Sequence, residues 1–400
     1  MDPNLNEWLN LTLRWLHLIA GIMWIGSSFF FVWLDSNLEA PRGVDSSKSS
    51  LEGELWMVHS GGFYEVKKCK PGPGEMPEHL HWFKWEATFT WISGFLLLCL
   101  VYYLSNGIYL IDPQVSNLSA GAATLLGLAS LAGSWFVYDL LFQSPLSKNG
   151  KSAAAISLML LFALIYGLCH AFSGRGAFIH LGAIFGTIMV LNVWVRILPA
   201  QQQMIDATRR SEMPDFTLGM QAKRRSMHNS YMTLPVLFMM ISNHYAALYG
   251  AELNWLVLVL LVVIGSCIRH YMIVKRGKAA WVFAPVMVCL VALWVLTRPQ
   301  PIDSRSYAPS RVAPSLKTTQ EIISRRCLPC HSINPTDEDF PVAPAGITFD
   351  TPELIEAYAD RIKARAVVSK TMPLRNKTGI TNEERVLLGK WLETISPIEE

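Results

Sequence analysis

The sequence predicts an all-α fold: a polytopic membrane bundle of eight transmembrane helices followed by a small cytochrome-like domain. Three observations predict it. Of the 400 residues, 51% are hydrophobic and only 16% are charged. Soluble domains carry roughly 25% charged residues, so the deficit points to a bilayer as solvent. Eight apolar stretches reach the ~20 residues that a membrane helix needs. After the eighth, a proline-rich linker at 298–315 leads into an amphipathic tail, 316–400, that contains Cys-x-x-Cys-His. Residues 1–297 then form the membrane domain.

The predicted spans are 9–34, 84–105, 119–143, 151–173, 177–199, 229–250, 254–273 and 279–297. The first is too long for a cleavable signal. Its leader carries Asp2 and Glu7, and no small-residue cleavage site follows. Basic residues gather in alternate loops. One such loop holds Arg42, Lys48, Lys67, Lys68, Lys70 and Lys84, and the next holds Lys148 and Lys151. The third holds Arg209, Arg210, Lys223, Arg224 and Arg225, and the fourth Lys275, Arg276 and Lys278. The opposite loops offer Arg175 alone, beside Asp112 and Glu252. The positive-inside rule puts both termini on the periplasmic side. The net charge of +3 comes without a long basic tract, so nucleic acid is not an expected partner.

The tail carries the most specific motif. Cys327-Leu328-Pro329-Cys330-His331 fits the c-type haem attachment signature. Two thiols bond the porphyrin and the next imidazole, His331, meets the iron. A zinc site would need a second Cys/His pair, which the tail lacks. A redox dithiol would need a βαβ context. Met372 is the only methionine in the tail and the expected second axial ligand. A His/Met pair raises the potential. The tail resembles small class I cytochromes c. Of the other cysteines, Cys99, Cys169, Cys267 and Cys289 lie in apolar stretches as buried thiols.

Ionisable residues inside a membrane are functional candidates. His17, His170, His180 and His244 fall in the outer half of four different spans, on the side of the tail. Two imidazoles on facing helices could ligate a b-type haem. Arg14 and Arg175, at the same rim, could pair its propionates. The competing reading is hydrogen bonding between helices, and the sequence selects no pair. The inner half carries another set. Glu86, Asp139 and His228 are candidate catalytic groups. Arg196, Asn192, Asn229, Trp82 and Arg269 suit binding of a planar, polar anion. For Arg269, Arg196 and Trp82, interfacial snorkelling and an aromatic belt compete with that role.

The stretches GELWMVHSGGFYEVKK (Gly53–Lys68) and HNSYMTLPVLFMMISNHY (His228–Tyr245), with eight spans and a Met-ligated tail, resemble the bacterial integral-membrane urate oxidase coupled to cytochrome c. The likeness covers essentially the whole chain. The first span, WLHLIAGIMWIG, is also similar to small haem-b membrane oxidoreductases of the protoporphyrinogen-oxidase type, which favours His17 as a ligand. The resemblance implies an inner-membrane enzyme of purine catabolism. Urate would be hydroxylated at C5 with oxygen from water. Two electrons would leave through haem c, without peroxide, to a soluble cytochrome or a terminal oxidase. The hydrocarbon core is about 30 Å thick, too far for one efficient electron hop. A relay through the outer histidine layer is therefore expected if urate binds near the cytoplasm. Without a haem b, urate must bind near the outer surface, beside the tail. Two other readings stay open: a quinol or small-molecule dehydrogenase feeding the cytochrome, and a membrane-tethered electron shuttle. Oligomeric state is not legible.

Overall fold

A computed structural model describes residues 2–40, 51–274, 279–298 and 315–395. Helix α1 (Pro3–Asn37) starts at Asp2, whose carboxylate accepts from the Leu5 amide. Hairpin strands β1 (Leu51–His59) and β2 (Gly62–Cys69) follow. Helix α2 (Trp85–Leu98) runs on into a π turn, Cys99–Tyr103. Next come α3 (Ala120–Gln143) and α4 (Gly150–Ala171), capped by Ser119 and Asn149. Helix α5 (Gly174–Leu191) continues through a π turn, Asn192–Ile197, into α6 (Leu198–Arg209). After α7 (Phe216–Ile241) the chain forms a short α8 (Ala246–Tyr249), α9 (Asn254–Ile273) and α10 (Phe283–Leu296). A polar side chain accepting an orphan amide at several of these starts explains where the helices begin.

Six helical stretches are long and apolar enough to cross a membrane: 4–37, 85–103, 120–143, 150–171, 174–209 and 254–273. The other two expected spans differ. The stretch 229–250 is not one helix: α7 begins at Phe216, ends at Ile241, and is followed by a 3-10 turn, Ser242–His244. Its first half carries Lys223, Arg224 and Arg225, which dilute its hydropathy. The stretch 279–297 is a 3-10 turn at Ala280–Val282 followed by the 14-residue α10. The β hairpin also corrects the all-α expectation. The strands pair antiparallel from Leu51↔Cys69 to His59↔Gly62, and Ser60-Gly61 take positive φ of 49° and 76°. That is the geometry of a tight two-residue hairpin turn.

Helix α5 is the hub. His180, Leu181, Ile184, Phe185 and Ile188 are buried among α3, α4, α7 and α9. Pro235 of α7 fits against Gly265 of α9, where a Cβ would lie 2.8 Å from the proline ring. Helix α1 packs chiefly on α2 and leaves Trp8, Leu11, Trp15, Leu18 and Ile22 exposed. Such apolar surfaces are compatible with a membrane protein.

The bundle has two distinct ends. At one, Lys68 of the hairpin and Lys223 of α7 both reach Asp35 of α1, at 2.7 and 3.6 Å. At the other, the loop before α3 is tied to the start of α5. The Ser173 amide donates to Leu110 O at 2.8 Å and its hydroxyl to Tyr109 O at 2.7 Å. The tail sits at this second end. It contains α11 (Leu316–Arg326), α12 (Pro352–Ala357), α13 (Ala359–Ile362) and α14 (Asn382–Ile395). Ile323, Ile355, Ile362, Leu388, Trp391 and Leu392 form its own core. Arg365 Nη1 donates to the Tyr249 hydroxyl at 3.0 Å, docking the tail on the bundle. Most of the linker, 299–314, and the basic residues Arg42, Lys48, Lys275, Arg276 and Lys278 lie outside the described residues.

Candidate functional site

In the tail, Cys327 caps α11, its amide donating to Ile323 O at 2.8 Å. The His331 amide donates to Cys327 O at 2.9 Å, which turns the imidazole back over the motif. His331 Nδ1 lies 2.9 Å from Ile347 O. A ring held by one nitrogen presents the other to a ligand, the usual arrangement for metal-binding histidines. Met372 packs against the same apolar core as Cys327 and Leu328. Its carbonyl accepts from the buried Arg385 at 2.7 Å. Burial pushes the Cys327 thiol up to about 12. Burial and the neighbouring Asp337 push Cys330 up to about 11. Among the described residues, no group of three or more His, Cys, Asp or Glu could hold a metal ion. A c-type haem makes a different demand: one imidazole and one thioether for the iron, and two thiols for the porphyrin, around an apolar core. These residues fit that demand.

In the half of the bundle away from the tail, buried polar side chains form a network. Asp139 of α3 accepts from Arg196 Nε at 2.9 Å and again from its Nη2. It also accepts from Arg225 Nη2 at 2.8 Å and Gln143 at 2.6 Å. The Tyr138 hydroxyl meets His228 Nδ1 at 2.8 Å and accepts from Asn192 at 3.0 Å. Asn192 also donates to Asn229 Oδ1 at 2.8 Å, and Asn229 donates to Met189 O at 2.9 Å. The π turn after α5 supplies Asn192 and Arg196, while α7 offers Arg225, His228 and Asn229 from one face.

Five predicted residues thus come together: Asp139, Asn192, Arg196, His228 and Asn229. Two others were missed. Tyr138 gave no signal beyond its place beside Asp139. Arg225 was read as loop charge, although its spacing of three and four to His228 and Asn229 sets all three on one helical face. Two buried atoms in the network lack a partner, Asn192 Oδ1 and Arg225 Nη1. Asp139 itself is committed. Two guanidiniums and the Gln143 amide occupy its lone pairs, so it positions arginines instead of standing free as a base.

Three predicted residues lie elsewhere. Arg269 is 1% exposed, donates to Ser230 Oγ at 2.8 and 3.0 Å, and stacks 3.9 Å from the Phe29 ring centre. Glu86 occupies the first turn of α2, with Oε2 buried and unpartnered. Trp82 lines an open cleft with His79, Gln202 and Arg209.

The four outer histidines do not form a layer. His17 Nδ1 lies 2.9 Å from Thr90 O and 3.2 Å from Ser93 Oγ. It fits only because Gly94 lacks a Cβ, which would sit 2.7 Å from the ring. Trp91, on another face of α2, bonds Thr187 of α5 at 3.0 Å, so α2 stands between His17 and α5. His180 is fully buried, with Nδ1 2.8 Å from Gly176 O and Nε2 2.9 Å from the Tyr103 hydroxyl. Gly94 and Tyr103 are nine residues apart, roughly 13 Å along a helix. His170 is exposed and stacks on Tyr166 at 3.9 Å, and His244 is exposed in the turn after α7. The expected common level fails because α1 begins at Pro3, which sets His17 near its middle. His17 and His180 therefore lie on opposite sides of α2. Arg14 donates to Asn10 on its own helix, whereas Arg175 donates through Nε to Asn243 Oδ1 at 3.0 Å and lies 4.3 Å from the Tyr109 ring centre.

Residues 3–297 match the family described as Urate oxidase N-terminal. The chain belongs to the urate oxidase N-terminal family. No curated protein and no solved structure matches it. The family match spans the whole bundle, with its polar network, and stops before the tail.

Proposed function

We propose that this chain is a membrane-bound oxidoreductase that converts urate to 5-hydroxyisourate and exports the electrons through its tail. The family match supports the substrate. The observation that carries the coupling is the seating of the Met372 loop on the family region. A Cβ at Gly250 would lie 2.9 Å from Thr371 Cγ2 and 3.1 Å from Ser369 O. An electron carrier held one residue from that contact is placed to receive charge from the bundle. A haem bonded to Cys327 and Cys330, with His331 and Met372 as axial ligands, would supply a one-electron acceptor of raised potential.

The reaction balances without dioxygen. A water oxygen bonds to C5 of urate, two protons are released, and two electrons leave. The tail accepts them one at a time and passes each to a soluble cytochrome or terminal oxidase. No intramembrane haem is needed in this scheme.

In the proposed orientation α7 and α10 complete eight crossings. The end bearing Asp35, Lys68 and Lys223 faces the cytoplasm, and the tail faces the periplasm of the inner membrane. Anaerobic addition of urate to the purified oxidised holoprotein is the test. Appearance of reduced haem c bands with urate, and not with xanthine or a quinol, is expected. Reduction by quinol alone would instead make it a quinol dehydrogenase, and no reduction by any donor would leave only an electron shuttle.

A further inference from the structure

Met372 sits in a loop whose backbone is strained on both sides of it. Lys370, Arg375 and Asn376 take positive φ of 51°, 56° and 49°, and none is a glycine. Residues with a Cβ rarely enter that left-handed region, and they persist there only where the surroundings hold them. Both polar backbone groups of Met372 are anchored. Its amide donates to Arg365 O at 3.0 Å. Its carbonyl accepts from Arg385 Nη1 at 2.7 Å, and the same nitrogen donates to Ala366 O. Met372 also packs against the apolar core of the tail.

Arg385 is 4% exposed and lies near the start of α14. A cation there opposes the helix dipole. Among the described residues no carboxylate pairs with it. Neither helix stability nor an ion pair therefore accounts for its place, whereas two accepting carbonyls do. Glu384, the preceding residue, bonds elsewhere. It accepts from Arg326 Nε at 3.0 Å and closes a capping box with Thr381, at 2.9 and 3.2 Å. It ties α14 to the end of α11, beside Cys327, and has no hydrogen bond to the loop 370–376. Two consecutive residues of α14 thus hold the two sides of the motif: Glu384 the cysteine side and Arg385 the methionine side.

We propose that Arg385 is the positioning residue for Met372: by clamping the carbonyls of Met372 and Ala366 it holds the thioether in place as the second axial ligand. This rests on the haem c of the function proposed above. A neutral thioether is a weak donor, so its hold on an iron depends on the loop that presents it. The full-length holoprotein would be oxidised and titrated with imidazole, which competes with Met372 for the sixth position, and the haem potential would be measured alongside. Arg385→Gln should bind imidazole about tenfold more tightly, the size of about one charge-assisted hydrogen bond. Its potential should fall, because a His/Met pair raises it. Arg385→Lys keeps the charge but lacks the planar fork. It should fall between, and it decides the matter if the glutamine variant does not retain haem. Glu384→Gln should lower the melting temperature of the tail and leave both readings at wild-type values. Unchanged imidazole affinity in the Arg385 variants that retain haem would overturn the proposal. So would an equal rise in Glu384→Gln, because Arg385 would then act only through the stability of the tail. A wild-type chain without covalent haem would sink the function itself, whereas normal haem with unaltered affinities would remove only the role of Arg385.

Discussion

Asp139 accepts hydrogen bonds from Arg196, Arg225 and Gln143 in an interior with little water. Removing one partner of a buried ion pair costs about 3–5 kcal/mol, because the remaining charge is stranded. Asp139→Asn strands two arginines, so a melting temperature in detergent well below wild type is expected, with the haem c spectrum unaltered. In the tail, Asp337 shows the opposite balance of forces. Burial alone would raise its carboxyl, but Lys377 at 2.7 Å and the Asp339 amide outweigh it, and the group sits below the usual carboxylate range. A depressed folded value stabilises above the unfolded value of about 3.9 and is lost as pH falls through the folded one. Tail stability followed by the haem band should therefore drop below about pH 4, and Lys377→Ala should flatten that drop. The chemistry-bearing types Asp139, Asn192, Arg196, His228 and Asn229 were legible singly. Their partners were not, because a hydrogen bond between α3 and α7 depends on how each helix is rotated.

At the scale of elements, close approach decides more than hydropathy. Gly174 opens α5 against the Tyr249 carbonyl, with no space for a methyl group. Overpacking a tight contact costs about 1–3 kcal/mol. Gly174→Ala should displace α8 and with it the tail's seat. Slower haem c reduction by urate in stopped flow, with normal reduction by dithionite, would register it. An unchanged rate would mean that this corner does not carry the coupling. The hairpin at 51–69 closes on Ser-Gly-Gly, but the run Leu55-Trp56-Met57-Val58 breaks any alternation, and between two long helical patterns the segment reads as a loop. The end of α7 at Ile241 is marked only by the short polar run Ser242-Asn243-His244, beyond which Ala246-Ala247-Leu248 resume an apolar pattern.

At the scale of the whole molecule, the family region covers 3–297 and the Cys-x-x-Cys-His motif lies beyond it, in the tail. Cys327→Ala with Cys330→Ala should abolish haem staining on a denaturing gel. The same protein should still bind urate, because the family match that supports the substrate lies wholly within the bundle. Loss of urate binding together with haem would place the substrate in the tail instead.

The sequence alone determined the helical bundle, most span boundaries, the haem attachment motif and the kinship with urate oxidases. Each of these is written in contiguous residues: an apolar run of membrane length, a five-residue spacing, or a quoted segment. Only the tertiary structure decided which side chains meet. It separated His17 from His180 by setting α2 between His17 and α5, and tied Asp139 to two arginines. Depth and rotation of each helix are set by packing against its neighbours, so no single segment encodes them.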